Sequence, residues 1–136
     1  AAAGPISEAH ARRFVADNVG ASLDPSDEGA AIAQVQAMSP RAWRRWLHTG
    51  SREDVSGGLD IAAVPAVVVA GEEDADLGAD AQPGLVARTL PNATIMSLPG
   101  AGHLLLFERP AEVAAAIEGL WAAISTGSTR VPESWG

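Results

Sequence analysis

Two apolar runs constrain the fold of this chain more than any other feature. Val64-Pro65-Ala66-Val67-Val68-Val69-Ala70 is a near-continuous β-branched stretch, the pattern of a strand covered on both faces in a parallel sheet. Ala93–Leu98 reads as a second strand. Residues 79–90 between them read as a helix carrying Ala79, Ala81, Leu85, Val86 and Leu90, with Pro83 tolerated only in its first turn. Strand, helix, strand in that order implies a right-handed parallel crossover. A last helix opens at Pro110 and keeps Val113, Ala116, Ile117, Leu120 and Ile124 on one face. The fold class expected is therefore α/β, with parallel strands flanked by helices. Two strands cannot cover each other on both faces, so the pattern asks for neighbouring strands and points to a missing half.

The first 50 residues read differently. Ser7 is placed to cap a helix from Glu8, with Ala11, Phe14, Val15 and Asn18 on one stripe and Gly20 as its stop. Asp24-Pro25-Ser26-Asp27 is a second start, with a capping aspartate and proline at the first helical position, and that helix carries Ile32, Val35, Gln36 and Met38. Ser39-Pro40 repeats the device. It opens a helix with Trp43, Trp46 and Leu47 inward, Arg41, Arg44 and Arg45 outward, and Gly50 as the stop. Three short helices with weak stripes cannot enclose a core alone, so residues 1–50 are expected to form a lid. Residues 51–60 form a Gly/Ser/Asp-rich connector, within a core portion spanning 51–125, and 126–136 form a surface tail.

Bulk composition narrows the partners. A chain of 136 residues makes one small domain or a piece of a larger one, and 47 % apolar residues suffice for a core. A net charge of −8 would repel phosphates, which argues against nucleic acid and anionic membrane. The chain has no cysteine, hence no thiol nucleophile and no cysteine metal site, and a reducing cytoplasm fits this. No apolar run approaches the roughly 20 residues of a membrane span. The chain opens on alanine rather than methionine, which suggests trimming or cleavage of a precursor.

Chemistry is concentrated after the two strands. Leu98-Pro99-Gly100-Ala101-Gly102-His103-Leu104 sets one histidine at the tip of a small-residue turn, in the open at a sheet edge. Val69-Ala70-Gly71-Glu72-Glu73-Asp74 ends the first strand on an acidic turn. Function in an open α/β sheet collects at the carboxyl ends of parallel strands. Asp74, with Glu73 and Asp76 as alternatives, therefore emerges on the same rim as His103. A carboxylate there can fix one ring nitrogen of His103 and leave the other to face a reacting group. Glu108 is read as supporting the following helix or pairing with a nearby backbone donor. His10 and His48 are surface or lid-lining residues. No two of the three histidines share metal-ligand spacing, so neither a metal nor another cofactor is expected.

These segments resemble the closing part of the α/β-hydrolases. The family pattern is a strand with proline before apolar residues, then Gly-x-x-Asp, a helix, a strand, and Gly-x-Gly-His followed by Glu-x-Pro. Val64-Pro65 through Val69, Gly71-Glu72-Glu73-Asp74, Gly100-Ala101-Gly102-His103 and Glu108-Arg109-Pro110 match it in turn, over about residues 59–124. The resemblance implies that Asp74 is the acid and His103 the general base of a Ser-His-Asp triad. Such enzymes cleave a small-molecule ester, lactone, amide or carbon–carbon bond. Phe14, Met38, Trp43, Trp46 and Leu104 would then line the substrate site.

One family element is missing. No serine has glycine at both flanking positions of a Gly-x-Ser-x-Gly turn, and Gly20-Ala21-Ser22-Leu23-Asp24 lacks the second glycine. The expectation is an enzyme whose nucleophile lies on a companion N-terminal fragment or chain. An aspartate nucleophile there would give epoxide or haloalkane chemistry instead. A hydrolase-like domain used only for ligand or protein binding is the alternative from another class.

Overall fold

The computed structural model describes residues 5–54, 64–87 and 89–127. Helix α1 (Glu8–Asn18) begins where the Ser7 hydroxyl accepts the His10 N–H at 3.3 Å, and it buries Ala11 and Val15. Helix α2 (Pro25–Ala37) begins on Asp24, whose Oδ1 accepts the N–H groups of Ser26 and Asp27 at 2.9 and 3.1 Å. These bonds satisfy two of the donors that a helix start leaves free. They also hold the Asp24 carboxyl below the ordinary aspartate value, with the Asp27 N–H the largest cause. Helix α3 (Pro40–His48) starts on Ser39 and passes into a 3₁₀ turn over Gly50–Arg52.

Helices α1 to α3 share one core. Ile6, Ala11, Val15, Ala31, Ile32, Val35 and Trp43 are buried together, with Phe14, Val19 and Leu23 packed against them. Leu104 and Phe107, from the segment after His103, complete this core. Phe14 meets Trp43 edge to face, ring centres 5.0 Å apart and planes at 76°, a favoured aromatic geometry. The expected helices are present, but their inward faces are narrower than expected. Trp46 and Leu47 are 57 % and 47 % exposed, not inward. At about 100° per residue they lie on either side of Trp43, and the layer offers a seat for Trp43 alone. Gln36 is exposed, and Met38 caps the end of α2 at 42 % exposure.

Strand β1 (Ala66–Gly71) pairs in parallel with β2 (Ala93–Leu98), in register from Ala66 opposite Ala93 to Gly71 opposite Leu98. The strand expected over 64–70 is displaced toward its C-terminal end, and Val64 is 55 % exposed. Burial on both faces is not observed. Among the described residues the sheet has two strands, and Ala66–Val69 are only half-buried, whereas Ala70 and Leu98 are buried.

The crossover helix is much shorter than the expected 79–90. Helix α4 covers Gln82–Val86, with Pro83 in its first turn. Residues 72–81 are instead taken up by turns, because the Asp74 carboxylate holds the backbone there and the amides of Ala81 and Gln82 fold back onto the Gly78 carbonyl. A short helix α5 (Leu105–Glu108) follows the histidine turn, and α6 (Pro110–Ser125) opens at Pro110 as expected. The α6 face that turns inward runs through Val113, Ala116, Leu120 and Ala123. Ile117 and Ile124 are 64 % and 49 % exposed. Alanines let α6 lie close to β1, and the larger side chains fall to either side. Of the connector only 51–54 is described, and of the tail only 126–127; residues 55–63 and 128–136 lie outside the described residues.

The seating of the two tryptophans predicts a contrast. Trp43→Ala is expected to destabilise the chain by about 3–5 kcal/mol, through the lost burial and the cavity left behind. Trp46→Ala is expected to stay within about 0.5 kcal/mol, as exposed positions do. Urea unfolding followed by circular dichroism measures both.

Candidate active site

The two turns at the carboxyl ends of β1 and β2 are stitched together through the backbone. The Glu72 N–H donates to the Leu98 carbonyl at 3.1 Å and the Glu73 N–H to the Ala101 carbonyl at 2.9 Å. Gly100 has φ +66°, in the left-handed region that glycine enters without a Cβ clash. Gly102 serves a second need, close approach. A Cβ there would lie 2.5 Å from the Gly20 nitrogen, and one on Gly20 would lie 2.7 Å from the Gly102 nitrogen. A Cβ on Gly71 would collide with the carbonyl oxygens of Ala101 and Gly102. Three chain segments therefore touch backbone to backbone directly beneath His103. Gly20 was expected only as a helix stop. Helix α1 ends at Asn18, and Gly20 provides room for the histidine turn.

Within this frame Asp74 divides its two oxygens. Oδ1 accepts the N–H groups of Asp76 and Leu77 at 3.1 and 2.9 Å, which closes the turn around it. Oδ2 lies 2.7 Å from Nδ1 of His103. The Asp74 side chain is 10 % exposed and that of His103 46 %. Asp74 is therefore the acid that reaches His103. Glu72, by contrast, accepts the Ser97 hydroxyl at 3.0 Å, and no bond from Glu73 or Asp76 to the imidazole occurs among the described residues. Burial acts to raise the Asp74 carboxyl and is the largest single influence on it. The Leu77 N–H, the His103 ring and the Asp76 N–H together outweigh burial and hold the group below the ordinary aspartate value.

A second carboxylate supports the histidine turn from behind. Glu108 Oε1 accepts the Gly20 N–H at 2.6 Å and the Ala21 N–H at 3.4 Å, and its two oxygens accept the Gly102 N–H at 3.0 and 3.1 Å. The Asn18 carbonyl accepts the N–H groups of His103 and Leu104 at 2.8 and 3.2 Å. Pairing of Glu108 with backbone donors was legible in the sequence. The part played by Asn18 was not, because a main-chain carbonyl leaves no mark on residue type.

The remaining residues expected at the site separate into two groups. Phe14, Met38 and Leu104 meet, with Phe107, around an apolar hollow of about 210 Å³ between α1, α2 and the segment after His103. Trp43 is buried in the helical core and presents no wall. Trp46 folds back onto Gly50, where an added Cβ would lie 2.9 Å from its ring. Beside Asp74 a larger hollow of about 550 Å³ is lined by Glu72, Gly78, Asp80 and Ser97. His10 and His48 are exposed. Among the described residues no three His, Asp or Glu side chains are grouped to hold a metal ion, and no helix is long and apolar enough to cross a membrane.

Parallel strands that deliver a carboxylate and an imidazole to one rim define a partial α/β-hydrolase fold. The chain matches the alpha/beta hydrolase family over residues 2–116 and belongs to that family. No curated protein matches it. Membership supports a hydrolase-like function.

The depressed value of Asp74 gives its pH dependence a definite sign. Ionised Asp74 contributes stability above the ordinary aspartate value of about 4, and that contribution disappears as pH falls through the lower native value. The stability gap between the unmodified chain and Asp74→Asn should therefore hold from pH 7 to about 4 and narrow as pH is lowered further in urea titrations. A gap that does not vary with pH would contradict this assignment.

Proposed function

We propose that this chain supplies the acid and the base of a Ser-His-Asp hydrolase acting on a small organic ester, lactone, amide or carbon–carbon bond. The observation that carries this reading is the 2.7 Å contact between Asp74 Oδ2 and His103 Nδ1 on a half-exposed ring. Asp74 would fix the tautomer of His103, so that Nδ1 carries the proton and Nε2 is a free base. It would also stabilise the imidazolium that forms once Nε2 has taken a proton. Two backbone amides on Oδ1 keep the carboxylate from turning away.

The nucleophile would be a serine on a companion N-terminal fragment or chain. His103 would take the serine proton as the oxygen attacks the substrate carbonyl, then return it to the leaving group. A water deprotonated by the same ring would hydrolyse the acyl-enzyme. The apolar hollow between Phe14, Met38 and Leu104 is lined by the residue that follows His103 in the chain, and it is the candidate seat for an apolar part of the substrate. The larger hollow beside Asp74 is acidic and suits no anionic substrate.

Fluorophosphonate labelling tests the reading. A preparation containing this chain and its companion should be labelled on a serine of the companion, and His103→Ala in this chain should abolish the labelling. Asp74→Asn should lower the turnover of an ester by a factor on the order of 10⁴, the scale associated with a lost tautomer in such triads. Labelling that is indifferent to His103 would overturn the proposal.

A further inference from the structure

Glu108 lies six residues beyond Gly102, whose N–H it accepts, and it makes no direct contact in the Asp74–His103 pair. Its three donors come from two segments distant in sequence. Gly20 and Ala21 follow α1, and Gly102 precedes His103. The Asn18 carbonyl takes the next two amides of the turn, those of His103 and Leu104. Three consecutive N–H groups, at 102, 103 and 104, are therefore held by fixed acceptors. On the other limb of the turn, the Arg109 guanidinium donates to the carbonyls of Pro99 and Gly100 at 3.2 and 3.4 Å.

We infer that Glu108 is a positioning residue for His103, acting through the Gly102 amide and the 18–21 segment to hold the imidazole against Asp74. This inference rests on the hydrolase reading of that pair and deepens it. The chemistry calls for a carboxylate. Backbone donors converge on both of its oxygens, and an ionised carboxylate offers about four acceptor sites and no competing donor. A glutamine would keep one oxygen and turn an NH₂ group toward a backbone N–H. Bonds to an ionised acceptor are also the stronger kind. Because the same carboxylate holds Gly20 and Ala21, it sets the helical layer and the histidine turn in one fixed relation.

The test is NMR on the ¹⁵N-labelled chain, comparing the unmodified protein with Glu108→Gln. Glu112→Gln serves as the control, on a neighbouring acid whose carboxylate lies 3.9 Å from Arg109 Nε. The proton between His103 and Asp74 should resonate far downfield in the unmodified chain. Its absence there would overturn the pairing on which both readings depend. With the pairing present, Glu108→Gln is expected to weaken or remove that resonance. It should also speed amide exchange at Gly20 and Gly102 by about tenfold. The Asp76 and Leu77 amides, and both strands, should keep their protection, and Glu112→Gln should change none of these. Faster exchange with an unaltered ring resonance would overturn the inference, since Glu108 would then hold backbone alone. Loss of protection across β1 and β2 would overturn it too, because the residue would be holding the fold and not the histidine. The readouts do not need turnover, so a failure of fluorophosphonate labelling with this pattern intact would count against the proposed activity and not against the positioning role.

Discussion

The contact of three backbones at Gly20, Gly71 and Gly102 is the constraint on which the rest of the structure depends. A side chain at any of these positions would push apart segments from α1, from the end of β1 and from the histidine turn. With hydrogen in place of Cβ, the histidine turn comes within bonding range of both other segments, and Glu108 accepts from the Gly20 and Gly102 amides. The result is a rim built mostly from peptide groups, whose geometry is stiffer than that of side chains. His103 and Asp74 are mounted on that rim, and their meeting at 2.7 Å follows from where it places their Cα atoms.

Asp74 illustrates how a single side chain can serve fold and site together. One oxygen closes the turn after β1, and the other meets the imidazole. The turn it closes ends at Leu77, just before the stretch that periodicity assigns to a helix from 79. The amides of Ala81 and Gln82 then fold back onto the Gly78 carbonyl, and α4 begins only at Gln82. Local alternation of alanines is a weak signal, and these turn bonds decide the backbone there.

Much of this was legible in the sequence, and the boundary of legibility has a physical cause. The start signals Ser7, Asp24-Pro25 and Ser39-Pro40 act within four residues, and each places its helix correctly. β2 and the opening of α6 at Pro110 likewise follow from local features. Asp74 and His103 were recognisable because glycines and strand ends surround them in a recurrent order. Burial was less legible. Trp46, Leu47, Ile117 and Ile124 carry the hydropathy of core residues but find no buried seat among the described residues. The half-buried strand Ala66–Val69 lacks neighbours in the same way. Asn18 was read as part of a helical stripe, and its carbonyl, the group that matters to the histidine, is common to all residue types.

That carbonyl has a consequence for how such a chain can diversify. Any amino acid placed at position 18 would still present the same oxygen to the amides of His103 and Leu104. The attachment of the helical layer to the histidine is thus insulated from mutation at the point of contact. Evolution can therefore rework the side chains of α1 and α2, and with them the lining of the hollow, while the imidazole keeps its address.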